Sequence, residues 1–229
     1  MPPDPLILGV DEAGRGPAIG PLFIAGVALL ESALPELKAM GVRDSKKLSA
    51  KRREKLYTAL QELNAAIYLR ELSATEIDHV LKDTGDNLNL LEIRKMAEII
   101  NEAKPAIVYV DAISTPTYSK NKLIPKIKSP KPRLVVENKA DDNYEIVAAA
   151  SIVAKVQRDR SVLALREAHP HLGDFGSGYP SDPRTQHFIL ENIEIIKRNE
   201  VPFVRMEWDN VKRIIRQKKQ SHLPLGKLK

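Results

Sequence analysis

LILGVDEAGRGPAIGPLFIAGVALL, residues 6–30, is the stretch whose reading decides the fold. LILGV (6–10) is a short apolar run that stops at Asp11, the pattern of a buried strand reaching the edge of a sheet. IGPLFIAGVALL (19–30) is apolar again, and Gly20 and Gly26 break any good helix. A second strand is expected there, with room for a bulge, joined to the first by the glycine-rich segment. That joint carries a contradiction of sign. Asp11 and Glu12 repel a phosphate, whereas Gly14-Arg15-Gly16 is a bare backbone with a cation at its centre and suits one.

Outward from this pair, the pattern alternates. SAKRREKLYTALQEL (49–63) opens on a Ser49 cap and has apolar residues at helical spacing. AAIYLREL (65–72) is a third strand, and the segments SATEIDHVLK and NLNLLEIRKMAEIINEA are helices. AIVYV (106–110) is a buried strand ending at Asp111. Residues 112–133, with four prolines among many lysines, form a loop around a short helix. RLVVEN (133–138) is a further strand, followed by Asp141-Asp142 and the strongest helix, NYEIVAAASIVAKVQRDRSVLALREA. GDFGSGYPSDP (173–183) is turn-rich, and helical stretches follow near 184–198 and 209–219. The order predicts an α/β fold: a mixed sheet flanked by helices, with a C-terminal helical region. Residues 1–170 are expected to form the main domain and 171–229 the helical region with a basic tail.

Composition sets outer limits. The chain has 229 residues, 43% hydrophobic, which can fill a core. It has no cysteine, so disulfides and thiolate metal sites are excluded. No window approaches a membrane span, and MPPDPLILGV does not read as a leader, so a cytoplasmic protein without membrane attachment is expected. The net charge of +6 favours an anionic partner. Lys212 to Lys229 carries seven Lys/Arg and no carboxylate side chain, which suits either a solvated tail or a binding arm.

Asp11, Asp111 and Asp141-Asp142 all follow predicted strands. Sites in such sheets gather outside the carboxyl ends of strands. Carboxylates brought together repel unless a cation intervenes, and hard divalent ions prefer oxygen ligands. A cation between Asp11/Glu12 and a phosphodiester would reverse the local sign and resolve the contradiction in the turn. On the long helix, Ser151, Lys155 and Arg158 share a stripe that suits a phosphate track. Tyr179, between glycine and proline, can stack on a base or ribose. Each feature also has a plainer reading: strand-end acids cap turns, Asp141 and Asp142 suit helix N-caps, the stripe suits an exposed face, and Tyr179 suits ordinary packing. The spacing G-x-G-x-x-x-G does not fit a dinucleotide fingerprint. The five histidines lack convincing ligand or triad spacing.

GVDEAGRGP, VRDSKKLS, YVDA, NKADDNYEIVAAASIVAKVQRDR and GDFGSGYPSDPRT resemble, in collinear order over residues 7 to about 210, the archaeal form of ribonuclease HII. The resemblance implies a ribonuclease H-like fold and an endonuclease acting on the RNA strand of RNA–DNA hybrids with Mg²⁺ or Mn²⁺. It also implies cleavage 5′ of single ribonucleotides embedded in DNA. It places the metal-binding, catalytic acids on Asp11, Glu12, Asp111 and Asp141, choosing Asp141 over its neighbour. It assigns ribonucleotide reading to Gly14, Arg15, Gly16 and Tyr179, and substrate-backbone contacts to Lys46, Lys139, Ser151, Lys155 and Arg158. Many relatives have His where this chain has Asn138, and asparagine cannot titrate near neutrality. The tail QKKQSHLPLGKLK lacks the paired aromatics of a sliding-clamp-binding peptide, so clamp docking is not expected, and a monomer is. Two rivals stay open: a structure-specific DNA nuclease of the same fold, and a non-catalytic hybrid-binding protein.

Overall fold

In the computed structural model, which describes residues 3–43 and 48–221, β1 (Leu6–Ala13) and β2 (Leu22–Leu30) pair antiparallel from Leu6–Leu30 to Ala13–Phe23. The second strand starts later than its apolar run. Ile19 leaves the sheet and bridges Val204 in the C-terminal region instead. A short helix α1 (Leu34–Ala39), not legible in the sequence, follows β2. Helix α2 (Ala50–Glu62) begins where expected, the Ser49 hydroxyl accepting the Arg52 N–H at 3.2 Å. β3 (Ala66–Leu72) pairs antiparallel with β2. α3 (Ala74–Lys82) carries a reciprocal Ser73–Glu76 capping box, and α4 (Leu88–Ala103) is capped by Asn87.

β4 (Ile107–Asp111), α5 (Pro116–Leu123) and β5 (Arg133–Glu137) make a parallel crossover. Then come α6 (Ala140–Asn143), α7 (Glu145–Ala168), α8 (Pro183–Glu191), α9 (Ile193–Lys197) and α10 (Asp209–Ser221). Asp141 and Asp142 lie inside α6; they do not cap the long helix, whose N-cap is Tyr144. The described strands form one mixed sheet in the order β3-β2-β1-β4-β5.

Alternation along β1 distributes its side chains to two cores. Ile7 joins Val27 on the face covered by α2 and α7, with Leu56, Leu60 and Ile146 to Val156. Leu8 and Val10 join Ile24 on the face covered by α3 and α4, with Ile77, Met96 and Ile100. Between them Gly9 lets α7 sit directly on the sheet, because a Cβ there would stand 2.2 Å from the Ile146 carbonyl oxygen. Each fully buried aliphatic side chain contributes about 1.5–3 kcal/mol. A third apolar cluster links the C-terminal region (Phe175, Phe188, Val204, Val211, Ile214) to Ala18, Ile19 and Val162. The C-terminal helices therefore pack on the far end of the glycine-rich segment. No described helix is long and apolar enough to cross a membrane.

Candidate active site

The acids come together because three parallel strands end level. Val10 pairs with Val110, and Asp111 with Glu137. Asp11 and Asp111 therefore follow adjacent paired positions on the α7 side of the sheet. After β5 the chain turns through Lys139, held left-handed at φ 57°, into α6. Asp111 Oδ1 accepts the Ala140 N–H at 2.9 Å and so fastens the first turn of α6. Asp111 thus holds the turn that carries Asp141. Asp141 is buried, 4% exposed, whereas Asp142 is exposed.

Asp11 is itself 4% exposed. Burial pushes its carboxyl up to about 7; a hydrogen bond with the Ser151 side chain relieves part of this, and the charges of Asp111 and Asp141 add to it. The Glu12 N–H also donates to Asp11 Oδ1 at 2.8 Å. Glu12, one residue on, faces the α4 side of β1. Burial raises its carboxyl well above the usual range, with the charges of Asp11, Glu92 and Asp111 adding to the effect and Arg15 opposing it. Its Oε2 is buried and has no hydrogen-bond partner among the described residues. A buried acidic oxygen left unsatisfied beside three further carboxylates is an unfavourable state that a cation relieves.

The donor set is all oxygen, which suits a hard divalent ion. Among the described residues no three His, Asp or Glu side chains form a ready-made cage. A small hard ion does not require one, since Mg²⁺ commonly sits on one or two carboxylates and completes its shell with water and phosphate oxygens.

Beside the acids, the glycine-rich segment is held from three directions. Gly14 adopts φ +95°, and a Cβ on it would stand 2.7 Å from the Pro21 carbonyl oxygen. The Arg15 guanidinium donates to Glu92 and Asn89 of α4. Tyr179 lies against Gly16, where a Cβ would meet its Cε1 at 3.4 Å. Arg158 reaches over the Tyr179 ring, 5.2 Å from its centroid, and donates to the Ser177 carbonyl at 2.9 Å. The loop carrying Tyr179 is tied back by the Ala18 N–H, which donates to the Gly178 carbonyl at 2.7 Å. From beneath, the fully buried Arg205 donates to the carbonyls of Gly14, Arg15 and Gly20.

Of the residues expected at the site, Asp11, Glu12, Asp111, Asp141 and Ser151 gather at the sheet edge, and Gly14, Arg15, Gly16, Arg158 and Tyr179 form the adjoining turn assembly. Ser151 is buried, so its stripe on α7 is not an exposed face; Lys155 and Arg158 below it are half-buried. Lys139 is exposed at the corner into α6. Lys46, with Asp44 and Ser45, lies outside the described residues. Two residues were missed. Glu92 is fully buried, its carboxyl pushed up to about 7 by burial despite Arg15. Its signal was a carboxylate on the apolar 88–92–96–99–103 stripe of α4. Arg205 is a lone cation in the run VPFVRM, and that was its only signal.

The sequence profile described as Ribonuclease HII matches residues 8–211. A ribonuclease HII from Thermococcus sibiricus is 41% identical over 221 residues, covering 94% of this chain and 95% of that protein. The crystal structure of ribonuclease H2 from Pyrococcus horikoshii OT3 superposes with a TM-score of 0.81 at 37% identity, covering 94% of this chain and 99% of that one. A ribonuclease HII from Archaeoglobus fulgidus, solved in complex with PCNA, gives a TM-score of 0.76 at 40% identity, covering 89% and 95%.

Proposed function

The chain belongs to the ribonuclease HII family and is an endonuclease that cleaves the RNA of RNA–DNA hybrids; from that premise we propose how its residues divide the work. Asp11, Glu12, Asp111 and Asp141 hold one or more Mg²⁺ or Mn²⁺ ions. When bound, such an ion neutralises the phosphodiester oxygens and makes water a competent nucleophile near neutral pH. Asp111 keeps α6 in place and Ser151 orients the Asp11 carboxylate, so the acids face one point. Water attacks phosphorus in line and the bond to the 3′ oxygen breaks, leaving a 5′-phosphate and a 3′-hydroxyl.

Gly14, Arg15 and Gly16 read the ribose through their backbone, since no Cβ stands between the chain and the sugar at the glycines. The Arg15 side chain is bound to Glu92 and so contributes through its peptide groups more than through its charge. Tyr179 stacks at the step from RNA to DNA, steadied by Arg158, which permits cleavage 5′ of a single embedded ribonucleotide. Lys46, Lys139 and Lys155 hold substrate phosphates. Residues 171–229 complete the substrate site as a helical region appended to the 1–170 domain. The protein acts as a cytoplasmic monomer, and the tail, without paired aromatics, does not dock on a sliding clamp.

The observation that supports this best is the mutual charge of Asp11, Asp111 and Asp141 at one sheet edge, directly beside the glycine turn. The test is cleavage mapping on a DNA duplex with one ribonucleotide, with Mg²⁺, Mn²⁺ or EDTA. A single cut 5′ of the ribonucleotide, absent in EDTA, supports the reading. Equal cutting of an all-DNA duplex points to a DNA nuclease; tight binding without any cut points to a binding protein.

A further inference from the structure

Arginine is almost never fully buried unless its charge is matched. Arg205 is fully buried, and among the described residues its guanidinium makes no direct ion pair; Asp78 and Glu92 act on it only through their charge, and its donors go to backbone carbonyls. Nε donates to Gly20 at 3.0 Å, Nη1 to Arg15 at 3.2 Å and Nη2 to Gly14 at 2.7 Å. The three acceptors belong to one short segment 185 to 191 residues away in the chain. The Trp208 ring lies 5.5 Å from the guanidinium carbon, and the Arg205 N–H donates to the Ala18 carbonyl at 2.9 Å. The planar fork therefore has an aromatic ring beside it, and the backbone that carries it is tied to the same segment.

The consequence follows from the planarity of the peptide bond. In a trans peptide, the C=O of one residue and the N–H of the next point in opposite directions. With the Gly14 and Arg15 carbonyls drawn inward onto Arg205, the N–H groups of Arg15 and Gly16 are turned outward. Gly16 is exposed, and a Cβ on it would meet Tyr179 at 3.4 Å, so this part of the turn lies at the surface next to the tyrosine. Two successive outward N–H groups form a small concave donor pair suited to an oxygen of the substrate.

We propose that Arg205 is a positioning residue: by fixing the peptide planes of Gly14 and Arg15, it aims the Arg15 and Gly16 N–H groups at the substrate ribose. The proposal rests on the reading of this turn as the ribonucleotide reader. It separates the fork's geometry from its charge. Lysine keeps the charge and most of the stem but cannot serve three carbonyls with one planar group.

The experiment compares the parental enzyme with Arg205→Lys, Arg205→Met and Ile214→Ala, the last loosening the same apolar cluster without touching the turn. Each is assayed well below its unfolding temperature, for kcat on the single-ribonucleotide duplex, for the Mn²⁺ concentration giving half-maximal rate, and for affinity for an all-DNA duplex. Arg205→Lys is expected to lower kcat about tenfold or more, the scale of a small misplacement of a positioning group. Its Mn²⁺ midpoint and all-DNA affinity should stay at parental values, and Ile214→Ala should keep its kcat. Arg205→Met should match or exceed the loss; if it does not fold, Arg205→Lys alone decides. Parental kcat in Arg205→Lys, or an equal fall in Ile214→Ala, overturns the proposal. Failure of the underlying reading looks different: the parental enzyme itself then fails to distinguish the ribonucleotide duplex from DNA.

Discussion

The acidic edge and the glycine turn are neighbours along β1, yet they handle charge in opposite ways. At the edge, burial and neighbouring carboxylates push the Asp11 and Glu12 carboxyls upward, with only partial relief from Ser151 at Asp11 and from Arg15 at Glu12. In the turn, the Arg15 charge is matched by Glu92, and Arg205 is absorbed by three carbonyls. One region is left electrostatically incomplete; the other is closed before substrate arrives. The sign contradiction in GVDEAGRGP is therefore a division of labour. In the proposed reading the acids take an ion from outside, while the turn offers oriented peptide dipoles in place of a loose cation.

If that contrast is right, the largest effect belongs to the incomplete side. Asp11→Asn should reduce hybrid cleavage to background while duplex binding survives, as measured by single-turnover cleavage and by filter binding. Parental turnover would remove Asp11 from the site. Next comes the backbone of the turn. Gly14→Ala forces a left-handed alanine against the Pro21 carbonyl, costing about 1–3 kcal/mol in strain, and should lower kcat at least tenfold with the Mn²⁺ dependence unchanged. A shifted Mn²⁺ midpoint would mean that the two regions are not separable. Tyr179→Ala should cost roughly 1–3 kcal/mol of stacking at a single-ribonucleotide site and distinctly less on a long RNA tract; equal losses on both would deny it a selective role.

The smallest effect is on stability without metal. In the folded chain burial, with the charges of Asp111 and Asp141, pushes the Asp11 carboxyl up from 3.8 to about 7. The folded state then holds that proton more tightly than the unfolded state, so Asp11 becomes progressively destabilising as pH rises from about 4 to 7. In EDTA near pH 8, Asp11→Asn should unfold a few degrees above the parental protein, and the gap should close near pH 4. A gap independent of pH would contradict the buried charge.

The comparison also explains what could be read in the sequence. Asp11 and Asp111 each end an apolar run, so their place at a sheet edge was visible in the local pattern. The Ser49 cap, the helices opening at Ser73 and Asn87, and the long α7 were visible in the helical spacing of their apolar residues. Helix α1 and the four-residue α6 were not, because short helices lack a period to detect. Asp142 could not be separated from Asp141 by spacing; burial in the folded chain separates them. Glu92 and Arg205 went unassigned because their partners lie far along the chain, Arg15 being 77 residues from Glu92. Tertiary closure of a turn leaves only an isolated charge on an apolar face.

The central claim is that Asp11, Asp111 and Asp141 share a cation. Its most direct test is calorimetric titration of Mn²⁺ into the metal-free protein and into Asp11→Asn, Asp111→Asn and Asp141→Asn, each first checked for folding. The account expects saturable binding by the parental chain and a loss of about tenfold or more in affinity in every variant, since each removes one charge from an oxygen-only site. Parental affinity in any of the three would place that carboxylate outside the ion's shell and contradict the claim.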